Sequence, residues 1–316
     1  MQPLVHIVIL NWNQPDFTLA CLESLAQLDY PSFCTVLVDN GSTDNSVTLI
    51  RQNYPQVILL EMGRNLGYSA GNNVGIQHAM AAGADYVLLL NNDTAIDKDM
   101  LSRMVAASEA DPEVGMAGPT IYYFDSPNVL WSAVNSIKWS QGEIVRHGIN
   151  EVFPQVSNDA PVQKVDYVDS CAILVKRKVI EMVGMLDEAF FINYDDADWN
   201  MRAHQAGFKV IYVPPARLWH KVSAAMGQAS PATTYYMTRN SLLFFWKHSR
   251  GLTRFMATIH IVTRTLRTIV AWTLKPQYRR QDFRRKRNAN LYALRDAMVG
   301  HFGPMRAEVH QVCFGK

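Results

Sequence analysis

Short apolar runs that stop abruptly at polar residues alternate, along the first ninety positions, with stretches whose apolar residues recur every three or four places. Leu4–Leu10, Phe33–Val38, Val57–Leu60 and Tyr86–Leu90 are such runs. Several are rich in β-branched residues and carry no polar face, which predicts strands buried on both sides. Between them, Pro15 opens a helix with Phe17, Leu19, Leu22 and Leu25 as its apolar positions, and Ser42 or Thr43 caps a second that ends near Tyr54-Pro55. A third helix follows the Gly- and Asn-rich segment 63–73 and runs to about Ala82. Strands and helices alternating at this spacing predict an α/β fold on a parallel, doubly wound sheet. Further on, residues 119–163 have no clean period and predict an irregular region. Val165–Val175 and Val210–Val213 predict strands, the second closed by Pro214-Pro215, while 176–183 and 199–206 predict helices.

Open α/β sheets bind ligands at the C-terminal ends of their strands. Three of those ends are polar here: Asn11 and Asn13, Asp39 and Asn40, Asn92 and Asp93. A carboxylate such as Asp93 at the mouth of an apolar sheet suits a hard cation and, through it, a phosphate; it serves equally to turn the chain and cap a helix. Asp39 suits a base or ribose, or an Asx turn. The glycines of 63–73 allow close approach of backbone N–H groups, and Arg64 offers a charge for phosphate, yet neither the dinucleotide fingerprint nor the P-loop pattern is present. Phe190 and Phe191 are followed by Asp195, Asp196 and Asp198. Adjacent carboxylates beside an apolar wall raise one another's pKa and suit a general base; they also suit the first turn of a helix, whose dipole favours them. His220 again follows a strand.

Charge adds a second theme. Residues 1–245 hold 15 Lys/Arg against 25 Asp/Glu, whereas 246–306 hold 14 against 2, although the whole chain of 316 residues is only +2. The split predicts an acidic body, 1–248, and a basic helical extension, 249–316, that faces something anionic. In that extension Leu252, Phe255, Met256, Ile259, Val262, Leu266, Ile269 and Val270 form an apolar stripe, with Arg250, Arg254, His260, Arg264 and Arg267 mostly opposite. Such a helix packs on the body with a solvated face, or lies in a membrane interface with its cations on anionic lipid. No nucleic-acid recognition motif accompanies the charge, so nucleic acid is not an expected partner. Four widely spaced cysteines fit no metal pattern and read as reduced thiols. The first apolar run has no basic flank, and no window offers about 20 uninterrupted apolar residues, so the expected location is cytoplasmic without a spanning helix.

Taken in order, Ile9-Leu10-Asn11-Trp12-Asn13, Val38-Asp39-Asn40-Gly41-Ser42-Thr43-Asp44, Arg64 to Asn73, Leu90-Asn91-Asn92-Asp93-Thr94, Tyr194-Asp195-Asp196-Ala197-Asp198-Trp199 and Tyr235-Tyr236-Met237-Thr238-Arg239-Asn240 resemble family 2 glycosyltransferases. The likeness covers roughly residues 4–248 and is nearest the rhamnosyltransferase-like branch that builds bacterial surface polysaccharides. It implies a GT-A fold, a nucleotide-sugar donor (dTDP- or UDP-linked), Mg²⁺ or Mn²⁺, inversion at the anomeric carbon, and a saccharide or polyprenyl-diphosphate-linked acceptor at the inner face of the membrane. The resemblance assigns Asn11, Asn13, Asp39, Arg64, Asn65, Gly71, Asn72 and Asn92 to the nucleotide and Asp93 and His220 to the metal. Asp196 becomes the catalytic base with Asp195 beside it, and Trp199, Arg239 and Asn240 face the acceptor or diphosphate. Asn91 replaces the first acid of the metal motif, and Ser170 stands where the family carries Gly. Two other readings are a nucleotidyltransferase, which would carry a basic Gly-rich loop after the first strand, and a silent nucleotide-sugar-binding protein, which would lack the base.

Overall fold

The computed structural model describes residues 2–153, 156–221 and 230–315, and the chain divides into two compact units. The first comprises 1–136, 146–186 and 196–222. Its elements begin β1 (Val5–Asn11), α1 (Pro15–Leu25), β2 (Phe33–Asp39), α2 (Ser46–Asn53), β3 (Ile58–Glu61), α3 (Tyr68–Ala81), β4 (Tyr86–Asn91), β5 (Thr94–Ile96) and α4 (Met100–Glu109). They continue with β6 (Val114–Tyr123) and β7 (Ser126–Ser132). A small hairpin, β8 (Asn135–Lys138) and β9 (Glu143–Arg146), crosses the unit boundary. β10 (Gln163–Lys164), β11 (Ala172–Lys176), α5 (Arg177–Val183), α6 (Asp195–Gln205) and β12 (Lys209–His220) follow.

The strand order is β10-β12-β6-β11-β4-β1-β2-β3, with β1 to β4 mutually parallel and β11 antiparallel to both neighbours. The mixed, mainly parallel sheet of the sequence reading is therefore present. Successive residues of a strand face opposite ways, so β1 feeds two cores. Val5, Ile7 and Ile9 belong to one core, with Cys21, Leu22 and Leu25 of α1 and Met100, Leu101 and Met104 of α4. Val8 belongs to the other core, which also contains Ile76 and Ala79 of α3, Val179 and Ile180 of α5, and Trp199 and Ala203 of α6. Each such aliphatic side chain contributes about 1.5–3 kcal/mol by leaving water.

Several expectations need correction. Half of the supposed 63–73 loop is α3, which starts at Tyr68. The region 119–163 contains strands where none was expected: β6 and β7 pair with each other and β6 runs beside β12. The strand expected over 165–175 begins only at Ala172, because the chain turns at Asp169 and Ser170. The prolines do not close β12. They sit in a bulge between Val213 and Arg217, where a strand without those N–H groups breaks its ladder, and pairing resumes to His220.

The second unit comprises 137–145, 187–195 and 223–316, so it begins before the expected boundary at 248. Its helices are α7 (Pro231–His248), α8 (Gly251–Leu274), α9 (Gln281–Met298) and α10 (Ala307–Phe314). Ser230 caps α7 by accepting from the Thr233 N–H at 3.0 Å, with Pro231 at the first turn. The core of α7, α9 and α10 contains Ala232, Tyr235, Tyr236, Ala289, Ala293, Val309 and Cys313. No helix among the described residues is long and apolar enough to cross a membrane.

Candidate active site

The polar strand ends do converge. Asn11, at the end of β1, donates its amide to Asp39 at the end of β2 (2.9 Å) and accepts from the Thr18 hydroxyl (2.7 Å), which in turn accepts from Asn92 after β4 (2.9 Å). Asp39 also takes the Ser42 N–H (3.0 Å) and hydroxyl (2.5 Å), so the Asx turn is made as well. That turn needs Gly41: its φ is +77°, and a Cβ there would lie 2.5 Å from the Arg64 backbone. Arg64 is thereby held against the end of β2 while its side chain stays exposed, with no hydrogen bond or ion pair among the described residues. Asn13 receives the Thr43 N–H (2.7 Å), and Asn65 accepts from Asn40 (3.1 Å).

Asp93 does not cap a helix. β5 follows it, and α4 starts only at Met100. β5 pairs with the end of β12, matching Thr94 to His220, and this brings Asp93 Oδ1 to 3.0 Å from His220 Nε2 with both side chains buried. His220 Nδ1 has no hydrogen-bond partner among the described residues. A carboxylate oxygen and an imidazole nitrogen at this separation fit one divalent cation. No group of three or more His, Cys, Asp or Glu among the described residues forms a full cage. Such a pair leaves coordination positions for phosphate oxygens, as where Mg²⁺ bridges a carboxylate to phosphates.

Asp196 opens α6 directly after Asp195 and accepts the N–H groups of Ala197 (2.8 Å) and Ser170 (3.3 Å). Ser170 therefore acts through its backbone: its carbonyl takes the Tyr68 hydroxyl (2.9 Å), which also lies 3.1 Å from Asn91 Oδ1. Burial first, and the Asp169 carboxylate second, push the Asp196 pKa up to about 6. Asp169 is itself clasped by the Ser132 hydroxyl, by Asn135 (2.9 Å) and by Arg146 (2.6 Å). The Arg146 guanidinium lies 4.4 Å from the Trp131 ring, whose other neighbour is His220, edge to face at 4.8 Å. A continuous chain of contacts thus joins the Asp93–His220 pair to the carboxylate that tunes Asp196.

The sequence reading missed Trp131, Ser132, Asn135, Arg146 and Asp169. Four lie in the stretch taken as irregular. The available signals were an acid interrupting the apolar run 165–175 and an isolated arginine, since Lys138 and Arg146 are the sole cations between 104 and 163.

Other assigned residues have structural partners of their own. Gly71 lies inside α3, where a Cβ would be 2.6 Å from Leu10 Cδ1, so it serves helix-to-sheet packing. Asn72 spends its amide on the Tyr68 carbonyl one turn back (3.0 Å). Trp199 is wholly buried and donates its indole N–H to the Gly184 carbonyl (2.8 Å), which removes it from any acceptor surface. Asp198 pairs with Arg202 (2.8 Å). Asp195 is buried and belongs to the second unit. Arg239 and Asn240 are also buried there. Arg239 donates to the Gly303 carbonyl (2.8 Å), and Asn240 reaches the carbonyls of Phe190, Ile192 and Asn193 at 2.8, 2.8 and 3.0 Å. They hold the segment that leads into Asp195 and Asp196, in which Phe191, Asn193 and Tyr194 all have positive φ.

A doubly wound sheet with polar strand ends, a buried carboxylate–imidazole pair and a separate carboxylate of raised pKa has the architecture of a GT-A type group-transfer enzyme. Residues 6–183 match the family described as Glycosyl transferase family 2. The chain belongs to that family and is a nucleotide-sugar glycosyltransferase. It is 24% identical over 256 residues to the dTDP-rhamnosyl transferase RfbF of Shigella flexneri, covering 78% of this chain and 82% of that one. It is 25% identical over 249 residues to the N-acetylglucosaminyl-diphospho-decaprenol L-rhamnosyltransferase of Mycobacterium tuberculosis, covering 72% and 79%. Among solved structures, the mannosyltransferase PcManGT of Pyrobaculum calidifontis, in complex with GDP-Man and Mn²⁺, superposes with a TM-score of 0.58 at 15% identity over 94% of this chain and 88% of that one.

Proposed function

We propose that this enzyme transfers rhamnose from a dTDP- or UDP-linked donor to a polyprenyl-diphosphate-linked saccharide, with inversion at the anomeric carbon, in surface-polysaccharide synthesis. The observation that carries this reading is the Asp93–His220 pair, set at the strand ends beside the Asn11–Asp39 network. Asp39 and Asn11 receive the nucleoside, with Asn13, Asn65 and Asn92 shaping the pocket and Arg64 supplying charge for the diphosphate. Asp93 and His220 would hold Mg²⁺ or Mn²⁺, which when bound would supply positive charge to offset that of the leaving diphosphate. Asp196 takes the proton from the acceptor hydroxyl, whose oxygen then bonds to the anomeric carbon on the face opposite the leaving group. Its raised pKa keeps it a competent proton acceptor near neutral pH.

The sugar and the acceptor are supported by the named specificities of the two rhamnosyltransferases above. Association with an anionic membrane surface is supported by α8. Leu252, Phe255 and Leu274 on it are 72%, 62% and 70% exposed, and the helix contains no acidic residue.

The test is a transfer assay with dTDP-rhamnose and an N-acetylglucosaminyl-diphospho-polyprenol. Asp196→Asn is expected to lower turnover by about 10²-fold or more. Near-normal turnover in that variant would remove Asp196 from the base role, and no transfer by the wild type would remove this donor and acceptor.

A further inference from the structure

The second unit contains a cavity of about 710 Å³, within the range of small-molecule pockets. α8 lines it with Met256, His260, Arg264 and Arg267, and the β8–β9 hairpin lines it with Ser140 and Glu143. The four α8 positions are spaced by four, four and three residues, so they form one stripe along the helix. Met256 also belongs to the apolar stripe of Leu252, Phe255, Ile259, Leu266 and Val270, which is exposed. The cationic stripe therefore borders an uncovered hydrocarbon-like strip along α8.

Two of these side chains are tethered to backbone carbonyls of the hairpin. His260 Nδ1 lies 2.9 Å from the Ser140 carbonyl, and one Arg264 nitrogen donates to the Gly142 carbonyl (3.2 Å), which leaves their other nitrogens for a ligand. Gly142 takes φ +61° there, and a Cβ would lie 2.7 Å from Ile261, so the hairpin turn is fitted tightly to the helix. Arg267 has no hydrogen bond or ion pair among the described residues. Glu143 stands alone as the acid of the lining and is likewise unpaired among the described residues.

We propose that this cavity binds the phosphate group of a membrane amphiphile whose hydrocarbon lies along the exposed stripe between Leu252 and Leu274. Guanidinium forks match phosphate oxygens in geometry as well as charge. Glu143 on the opposite wall matches the hydroxyl or ammonium donors that flank a headgroup phosphate. The proposal rests on the reading of α8 as a membrane face.

The experiment uses the full chain. Binding is measured to phosphatidylcholine vesicles containing phosphatidylglycerol and, without divalent cation, to inorganic pyrophosphate. Arg267→Lys keeps the charge and removes the fork. It is expected to weaken both by about tenfold, the scale of a lost charge-assisted hydrogen bond. Arg280→Lys, the same exchange at an exposed site outside the cavity, is expected to change neither. If Arg267→Lys matches the wild type in both arms, the cavity proposal is overturned, while vesicle binding by the wild type keeps the membrane role of α8. If the wild type binds pyrophosphate through Arg267 but binds no vesicles, the phosphate site is one for soluble ligands, and both the lipid and the membrane reading fail.

Discussion

In the proposed mechanism the base is Asp196, and its protonation is set by neighbours that can be changed. With its pKa near 6, turnover should fall about tenfold per pH unit below that value, because the base must be ionised. Asp169→Asn removes the negative neighbour and frees the Arg146 charge, and both effects favour ionised Asp196. The acid limb of the turnover profile should therefore move to lower pH. A limb that stays in place would detach Asp169 from the base. Stability carries the opposite sign from function. The native pKa is raised above the unfolded value of 3.8, so ionising Asp196 costs stability, a cost that develops between about pH 4 and 6 and is full above it. Asp196→Asn should accordingly raise Tm at pH 7 relative to pH 4 while abolishing most transfer, and an equal Tm change at both pH values would contradict this. Asp93 stood out in the sequence as an acid after an apolar run, Asp196 as one of three acids before a helix, and His220 as a lone histidine at the end of β12. Asp169 and Arg146 did not, since what joins them is β7 and the β8–β9 hairpin folding back, a contact between residues 23 apart.

At the scale of elements, the parallel half of the sheet could be read directly. Runs buried on both faces leave a strong pattern, and β1, β2 and β4 fall within a residue or two of their expected limits. α3 was harder, because Gly71 and Asn72 look like loop residues by type. Only their packing on Leu10 and the Tyr68 carbonyl explains why a helix tolerates them. β12 misled for a similar reason, as a bulge lets a strand survive two prolines. The segment 189–194 makes a further prediction. Its positive-φ residues each cost about 1–3 kcal/mol unless held, and Asn240 holds three of its carbonyls. Asn240→Ala should lower turnover at least several-fold, with donor affinity unchanged by calorimetry. Loss of donor affinity instead would return Asn240 to the ligand site.

For the whole molecule, the charge split seen in the sequence is borne by α8 and α9, but the apolar stripe of α8 is not its packed face. Ala257, Ile261, Thr265 and Ile269, every fourth residue, are buried, whereas most of the expected stripe is exposed. Hydrophobicity alone could not distinguish them, because the buried set includes an alanine and a threonine. If the exposed stripe lies in a membrane interface, Phe255→Ser should weaken binding to anionic vesicles by about tenfold, on the scale of one buried aromatic. Unchanged flotation would leave the face without that role. The account as a whole depends on a metal-dependent nucleotide site at the strand ends. Its most direct test is calorimetric titration of dTDP and UDP, with and without Mn²⁺, into the wild type and Asp93→Ala. Binding to the wild type is expected to require Mn²⁺ and to be lost in Asp93→Ala. Binding that is indifferent to Mn²⁺, or that survives in Asp93→Ala, would contradict a metal-dependent nucleotide site.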